Sequence, residues 1–279
     1  MVAEKKSKKV LKIFSLVLVS VAVLIFISYF YLTNSSTVSA QIHIESGDVF
    51  VDGNQILEDM KLKEGNVIET KDNSFATVIL YESVLINLES NTIINLEELT
   101  LKFPKVSQKK GETWNTFTKL SGVEEYSIQT GNSIASVRAT AFGLRENYIL
   151  GGEGEVEYKI DGDNFAVRAN KVVEKIREEV KERDATAEEK QKIIGHKLRA
   201  LKELQRLRDL ELNKKPIILN MVKKRTGATD EELENYLEDI DNEVIDIDEL
   251  VRQSPIEIES IDKIVSITKS IQEIKRDLR

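Results

Sequence analysis

From residue 41 to about 170, apolar and polar side chains alternate in short runs, each closed by a turn signal. From about 170 onward the apolar spacing changes to three and four, and ahead of both regions residues 13–32 carry no charged side chain. Alternation marks half-buried strands, the wider spacing marks amphipathic helices, and an uncharged, predominantly apolar run of this length marks a membrane span.

In the alternating region, VFVDGNQIL (49–57) sets Asp52-Gly53 between apolar runs, a hairpin signal. LKEGNVIET (62–70) repeats the arrangement around Gly65-Asn66, and SFATVIL (74–80) puts Ala76, Val78 and Leu80 on one face. VLINLESNTIINLEELTLK (84–102) is two runs parted by Glu89-Ser90-Asn91, and EVEYKIDGDNFAVRA (155–169) is a hairpin about Asp161-Gly162. After the break at Gly131-Asn132, SVRATAFGL (136–144) reads as one strand. Val137, Ala139, Ala141 and Gly143 then share one face, and Arg138, Thr140, Phe142 and Leu144 the other. Many short strands at roughly ten-residue spacing predict a sandwich, a barrel or a β-solenoid.

The helical signals begin with NKVVEKIREEVKERD (170–184), which reads as a short amphipathic helix. Thr186 and Glu189 form a capping box for a helix to about 212 that carries Leu198, Leu201, Leu204, Leu207 and Leu210. A spacing of three falls about 60° short of a full turn at each step, so these leucines sweep round the helix and predict neighbours on more than one side, as in a bundle. Gly227 ends a third helix, Thr229 and Glu232 cap a fourth at about 230–240, and Ser254, Pro255 and Glu257 open a last one to about 278. Its Ile261, Ile264, Val265, Ile271 and Ile274 form one stripe.

At ~1.5 Å per residue, residues 13–32 span roughly 30 Å as a helix, the thickness of a bilayer's hydrocarbon core. Five lysines and one glutamate precede it, and Tyr29 and Tyr31 sit at its far end. The basic flank predicts the N-terminus inside and residues 33–279 outside. The alternative is a signal peptide cleaved at VSA (38–40), after Ala40. The expected protein is thus membrane-anchored and multi-part: a cytoplasmic basic tail (1–12), one transmembrane helix (13–32), a spacer (33–40), an all-β domain (41–170) and an α-helical region (171–279). The helical region is the expected route to a homo-oligomer.

Charge and composition narrow the chemistry. The whole chain carries −8 while its first twelve residues carry +4, which leaves the exterior part strongly acidic and excludes nucleic acid as the expected partner. There are no cysteines, so thiolate chemistry and Cys-based metal sites are excluded. His43, between Ile42 and Ile44 on a strand, and His196, in a charged helix, both read as solvated. The acidic stretch LEDIDNEVIDIDEL (237–250) fails as a calcium loop, with Val244 and Leu250 where glycine and glutamate are needed, and reads as a solvated connection. DGDN (161–164) and GGEG (151–154) read as turns. No cofactor or metal site emerges, and Arg138, alone among small residues, is the candidate binding residue.

The run Val-x-small-Thr-x-Phe-x-Leu at 137–144, followed by GEGEVEY (152–158), resembles the FecR family, whose signature is V-x-G-T-x-F-x-V and then an E-G-x-V strand. The upstream stretches LKEGNVIETKDNSFATVIL (62–80) and INLESNTIINL (86–96) are similar to the family's other half, so the likeness covers about 41–170. Ala139 stands where the family has glycine, and Tyr81-Glu82-Ser83 where it has Asp-Gly-Ser. The resemblance implies an extracytoplasmic β domain. The family's regulators also carry a cytoplasmic sigma-factor-binding segment, for which about twelve residues ahead of the span are too few. The expected function is therefore a non-enzymatic, membrane-anchored envelope protein whose β domain binds a protein or a surface polymer. The alternatives are a single-span sensor and an envelope hydrolase using acidic residues.

Overall fold

The computed structural model describes residues 40–118, 120, 122–137, 140–214, 223, 229–252 and 259–279. The expected span at 13–32, Arg138 and Ala139, the helix end at Gly227 and the cap at 254–257 lie outside the described residues. Within them the strands are β1 (Ala40–Ser46), β2 (Val49–Val51), β3 (Asn54–Ile56), β4 (Met60–Lys61), β5 (Val67–Thr70), β6 (Phe75–Leu80), β7 (Val84–Leu88), β8 (Ile93–Glu98) and β9 (Lys105–Lys110). They continue with β10 (Glu112–Phe117), β11 (Tyr126–Thr130), β12 (Ser133–Val137), β13 (Ala141–Arg145), β14 (Tyr148–Glu153), β15 (Glu155–Ile160), β16 (Asp163–Arg168), β17 (Lys171–Ile176) and β18 (Glu179–Asp184). Helices α1 (Ala187–Lys214), α2 (Asp230–Asp241), α3 (Ile247–Arg252) and α4 (Glu259–Asp277) follow.

The strands form two nine-stranded sheets. The first runs β18-β17-β14-β13-β10-β7-β6-β1-β4 and the second β16-β15-β12-β11-β9-β8-β5-β2-β3. The chain passes back and forth between them, and apart from the reversals of β1 with β4 and β2 with β3, each sheet grows in sequence order. This is a sandwich assembled by the short-range logic of a solenoid. Pairing is antiparallel except between β9 and β11. The inward side chains of both sheets, from Ile42 and Val78 to Phe142, Tyr158 and Val173, make one apolar core.

Several turns that alternation alone reads as hairpins are crossings between sheets. Glu89-Ser90-Asn91 joins β7 in the first sheet to β8 in the second, and Gly65-Asn66 joins β4 to β5 in the same way. SVRATAFGL is likewise two strands: Val137 ends β12 in the second sheet, and Phe142 and Leu144 belong to β13 in the first. All three point into the same core, because changing sheets resets the alternation. The true two-residue turns keep their chemistry: Asp52-Gly53 and Asp161-Gly162 both have positive φ, as a twisted hairpin requires. Tyr81 and Glu82 also adopt positive φ, without glycine. The Tyr81 hydroxyl donates to the Leu99 carbonyl, and Lys263 of α4 pairs with Glu82, so tertiary contacts hold this strained turn.

Residues 171–184 are not helical. They form the β17–β18 hairpin, which carries the β region to Asp184. Charges that look like helix-surface pairs in sequence lie opposite each other across the hairpin: Glu174 faces Lys181, and Lys171 Nζ lies 2.7 Å from Asp184. Val172 and Val173 are buried on opposite faces, an arrangement a β-branched pair favours in a doubly covered strand. GGEG also differs from a simple turn, since Gly151 and Gly152 lie within β14. A Cβ on Gly151 would collide with the Arg168 carbonyl, so glycine there permits close chain approach.

Helices α1 and α4 lie on the outer face of the first sheet. α1 opens with the expected box: Glu189 N–H donates to Thr186 Oγ1 at 3.2 Å, and Thr186 N–H to Glu189 Oε2 at 2.7 Å. Thr229 and Glu232 cap α2 in the same manner. Leu204 and Leu207 of α1 pack with Ile79 and Leu85 of the sheet and with Ile267, Ile271 and Ile274 of α4. The leucine sweep therefore meets neighbours on two sides, but one of them is a sheet rather than another helix. Leu198 and Leu210, at the ends of the sweep, stay exposed.

Candidate functional site

The outer face of the first sheet presents rows of side chains to α1. β1 supplies His43 and Glu45, β6 supplies Phe75 and Thr77, β7 supplies Asn87, and β10 supplies Glu112 and Trp114. Apolar contact holds α1 at both ends of this face: Ile193 packs with Trp114, Tyr148, Leu150 and Val172, and Leu204 and Leu207 pack as above. Between those anchors the interface is charged. Arg199 donates to both carboxylate oxygens of Glu45, at 3.0 and 3.2 Å, and also to Glu89. Thr77 donates to Glu45 at 2.6 Å, and Asn87 donates to Thr77 at 2.7 Å, so a hydrogen-bonded chain runs from the sheet into the helix.

His196 lies beside this cluster, stacked on Trp114 with ring centroids 3.8 Å apart. Its side chain is only 14% exposed. The sequence reading of a solvated histidine is therefore wrong: the ring fills the space over the indole. Gly143 beneath the indole makes the stack possible, since a Cβ there would meet Trp114 at 2.8 Å. Burial, with Arg199 and Lys192 adding to it, drives the His196 pKa down to about 3. Glu89 is 3.9 Å from Nδ1, which would favour the charged ring, but its carboxylate is already engaged by Arg199 and burial prevails. Burial also raises the Glu89 pKa, an effect Arg199 only partly offsets. Burial acts on Glu45 too, but the hydrogen bonds from Arg199 and Thr77 outweigh it and hold its pKa below the usual carboxylate range.

Two open clefts flank this cluster along one side of α1. One, of about 480 Å³, is lined by His43, Glu45, Ser46, Phe75, Thr77, Arg199, Lys202, Glu203 and Arg206. The other, of about 450 Å³, is lined by Glu89, Ser90, Gly111, Glu112, Arg145, Lys192 and His196, and again by Phe75. Phe75 is common to both, so the two clefts adjoin, and together they make a groove beside α1 from Lys192 to Arg206, roughly 20 Å at the α-helical rise. Its charges largely offset one another. Arg206 is held by Glu203 and lies 3.4 Å from Asp59, which also accepts from His43 at 2.8 Å. The groove offers an aromatic face, planar donors and acceptors, and two lysines, Lys192 and Lys202.

Arg138, the candidate binding residue, lies outside the described residues. His43, read as solvated, is a wall residue held by Asp59. The acidic stretch 237–250 is partly structural: Asp241 is buried and pairs with Arg208 of α1, and Asp246 caps α3 by accepting from Asp248 N–H at 2.8 Å. Among the described residues no group of three or more His, Asp or Glu side chains is arranged to hold a metal ion. Sequence reasoning missed Glu45, Phe75, Glu89 and Arg199, because Arg199 meets Glu45 across 154 residues and Glu89 across 110, and no local pattern encodes that.

No family model and no curated protein matches this chain. Two crystal structures, at 1.65 and 2.50 Å, of a protein from Parabacteroides distasonis ATCC 8503 described provisionally as an anti-sigma factor are similar to it. Each aligns at a TM-score of 0.39 with 16% identity, over 44% of this chain and 61% of the solved one. This chain thus spans about three-fifths of the length of the solved chains it matches.

Proposed function

We propose that this protein is a non-enzymatic, membrane-anchored envelope protein whose FecR-like β domain lies outside the membrane and binds a protein or a surface polymer in the groove beside α1. The observation that carries the reading is the groove itself: one aromatic floor residue, Phe75, shared by two clefts whose charged side chains already offset one another. A groove of this kind offers directional hydrogen bonds and a stacking face with little net field, which suits an extended, polar, weakly charged ligand. Glu45 and Glu89 both engage Arg199, which favours binding over proton transfer. Anchoring by residues 13–32 is favoured over cleavage after Ala40, because Ala40 is fully buried within β1 and its carbonyl accepts from Leu62 N–H at 2.9 Å. Cleavage there would remove the first residue of β1 and its pairing with Leu80.

The sensor reading is favoured by one observation. His43, Glu45 and Ser46, which line the groove, belong to β1, and β1 follows the expected span after only the short stretch 33–39. Occupancy of the groove would then act on the strand joined most directly to the membrane.

The test uses the full chain in detergent, with purified envelope polysaccharide and with envelope proteins crosslinked in intact cells. Phe75→Ala should abolish retention of the polymer or the crosslinked partner while leaving the melting temperature nearly unchanged. Undiminished retention by Phe75→Ala rules the groove out. Release of new reducing ends from the polysaccharide would replace the binding reading with a hydrolase.

A further inference from the structure

Among the described residues the sandwich has four edge strands, and three of them are blunted. β3 has three residues and β4 two. β18 has six, of which Glu179, Lys181, Glu182, Arg183 and Asp184 are charged, a common defence of an exposed edge. β16, the last strand of the second sheet, also has six residues, but its middle, Asn164-Phe165-Ala166-Val167, is uncharged.

The hairpin geometry fixes which groups this edge presents. Ile160 and Asp163 flank the two-residue turn and form a hydrogen-bonded pair, so pairing alternates from there. Asp163, Phe165 and Val167 direct their backbone groups to β15, while Asn164 and Ala166 direct theirs outward, as does the Arg168 N–H; the Arg168 carbonyl lies against Gly151 of β14. The Ala169 N–H to Gly154 carbonyl bond, at 3.2 Å, continues that alternation. Phe165, half-buried, packs against the core at this end, beside the fully buried Val167.

We propose that β16 is a self-association edge, pairing antiparallel with β16 of a second copy about a twofold axis through Ala166. Outward-facing groups must oppose outward-facing groups, so the register sets Ala166 against Ala166, exchanging both backbone bonds, and Asn164 against Arg168 of the other copy, whose N–H donates to the Asn164 carbonyl. Phe165 then opposes Val167 on the core side, extending both cores across the junction. Ala166 puts no bulk at the axis, and the Asn164 amide oxygen accepts from the opposing guanidinium. A register centred on Arg168 would set two like charges face to face, and one centred on Asn164 would lose pairs. The second copy is therefore the occupant whose sequence fits this edge. This inference stands independently of the groove, and it places oligomerisation in the β region instead of the helical one.

The experiment measures the mass of the full chain in detergent by light scattering across a concentration series. Ala166→Pro removes only an outward N–H, which an edge strand tolerates. It should raise the dimer dissociation constant by more than about tenfold, equivalent to about 1.4 kcal/mol, and leave the melting temperature unchanged. Val167→Pro, which loses an inward bond, should weaken the dimer and lower the melting temperature as well. Because the chain has no cysteine, Ala166→Cys supplies a single thiol that should form a disulfide-linked dimer on oxidation. Ile134→Cys, exposed on the same sheet away from the edge, should not. A wild-type chain that is monomeric at every concentration overturns the proposal. So does a dimer that Ala166→Pro leaves intact, as association through the helices or the span would give.

Discussion

The two faces of the first sheet are buried by different means. Its inner face meets the second sheet through Val78, Leu80, Ile86, Phe142 and Leu144, with polar atoms confined mainly to a thread from Tyr126 through Asn115 and Thr113 to Gln108. Its outer face meets the helices through apolar patches at each end and ion pairs between them. Inner burial is non-directional and tolerates any register that keeps the apolar set inside. The outer face adds charges that are satisfied in one placement of α1 only. The sandwich therefore supplies stability, while the sheet–helix layer supplies position, and the groove lies where position matters.

The comparison predicts that a cavity in the inner layer has the largest effect. Phe142 is fully buried between the sheets, so Phe142→Ala should cost about 3–5 kcal/mol. Circular dichroism and the fluorescence of Trp114, the chain's single tryptophan, should then report one shared, earlier transition in urea. Two separate transitions would show that the sandwich unfolds without carrying the helical layer with it.

Next comes the buried pair between helices. Arg208 and Asp241 are 4% and 1% exposed, so Asp241→Ala leaves a guanidinium in the interior without its partner. It should cost about 3 kcal/mol. Asp241→Asn, which keeps one acceptor, should cost less. Equal losses would mean that the pair acts through volume rather than charge.

The pH response follows from His196. Its folded pKa, about 3, lies below the free value of about 6.5, so on acidification the unfolded chain takes up the proton first. Stability is full above about pH 6.5 and falls as pH drops towards 3, by roughly 2 kcal/mol at pH 5. Glu45, whose pKa is lowered, adds to the loss at the acid end, whereas Glu89, whose pKa is raised, opposes it. His196→Phe keeps a ring on Trp114 and should flatten the fall between pH 6.5 and 5. An unchanged slope would place the titrating group elsewhere.

How much of this was legible in the sequence depends on range. The strand content, the Asp52-Gly53 and Asp161-Gly162 turns, and the capping boxes at Thr186 and Thr229 are local, and they form as their residues dictate. Sheet membership is not local. Glu89-Ser90-Asn91 and Gly131-Asn132 are both turn signals, yet one crosses between sheets and the other closes a hairpin within one. Residues 171–184 misled because Val172, Val173, Ile176 and Val180 fit a helical stripe as well as a doubly covered hairpin. The cross-strand pairing of Lys171 with Asp184 decides between them. The groove was illegible because its centre, Arg199, is a charged residue in a charged helix until the fold brings Glu45 and Glu89 to it.

The smallest predicted effect tests whether the outer layer depends on geometry or merely on charge. Arg199→Lys keeps the positive charge and much of the stem, but an ammonium cannot repeat the planar fork that meets both oxygens of Glu45 and reaches Glu89. All three side chains are about a quarter exposed, so water softens the loss, and stability should fall by only about 1 kcal/mol. The local readout should be larger than the global one. α1 should shift over Trp114, changing its emission under native conditions, while the cooperative urea transition moves little. If the Arg199→Lys substitution leaves both signals untouched, the ion pairs do not position α1, and the outer face is held like the inner one, by its apolar patches alone.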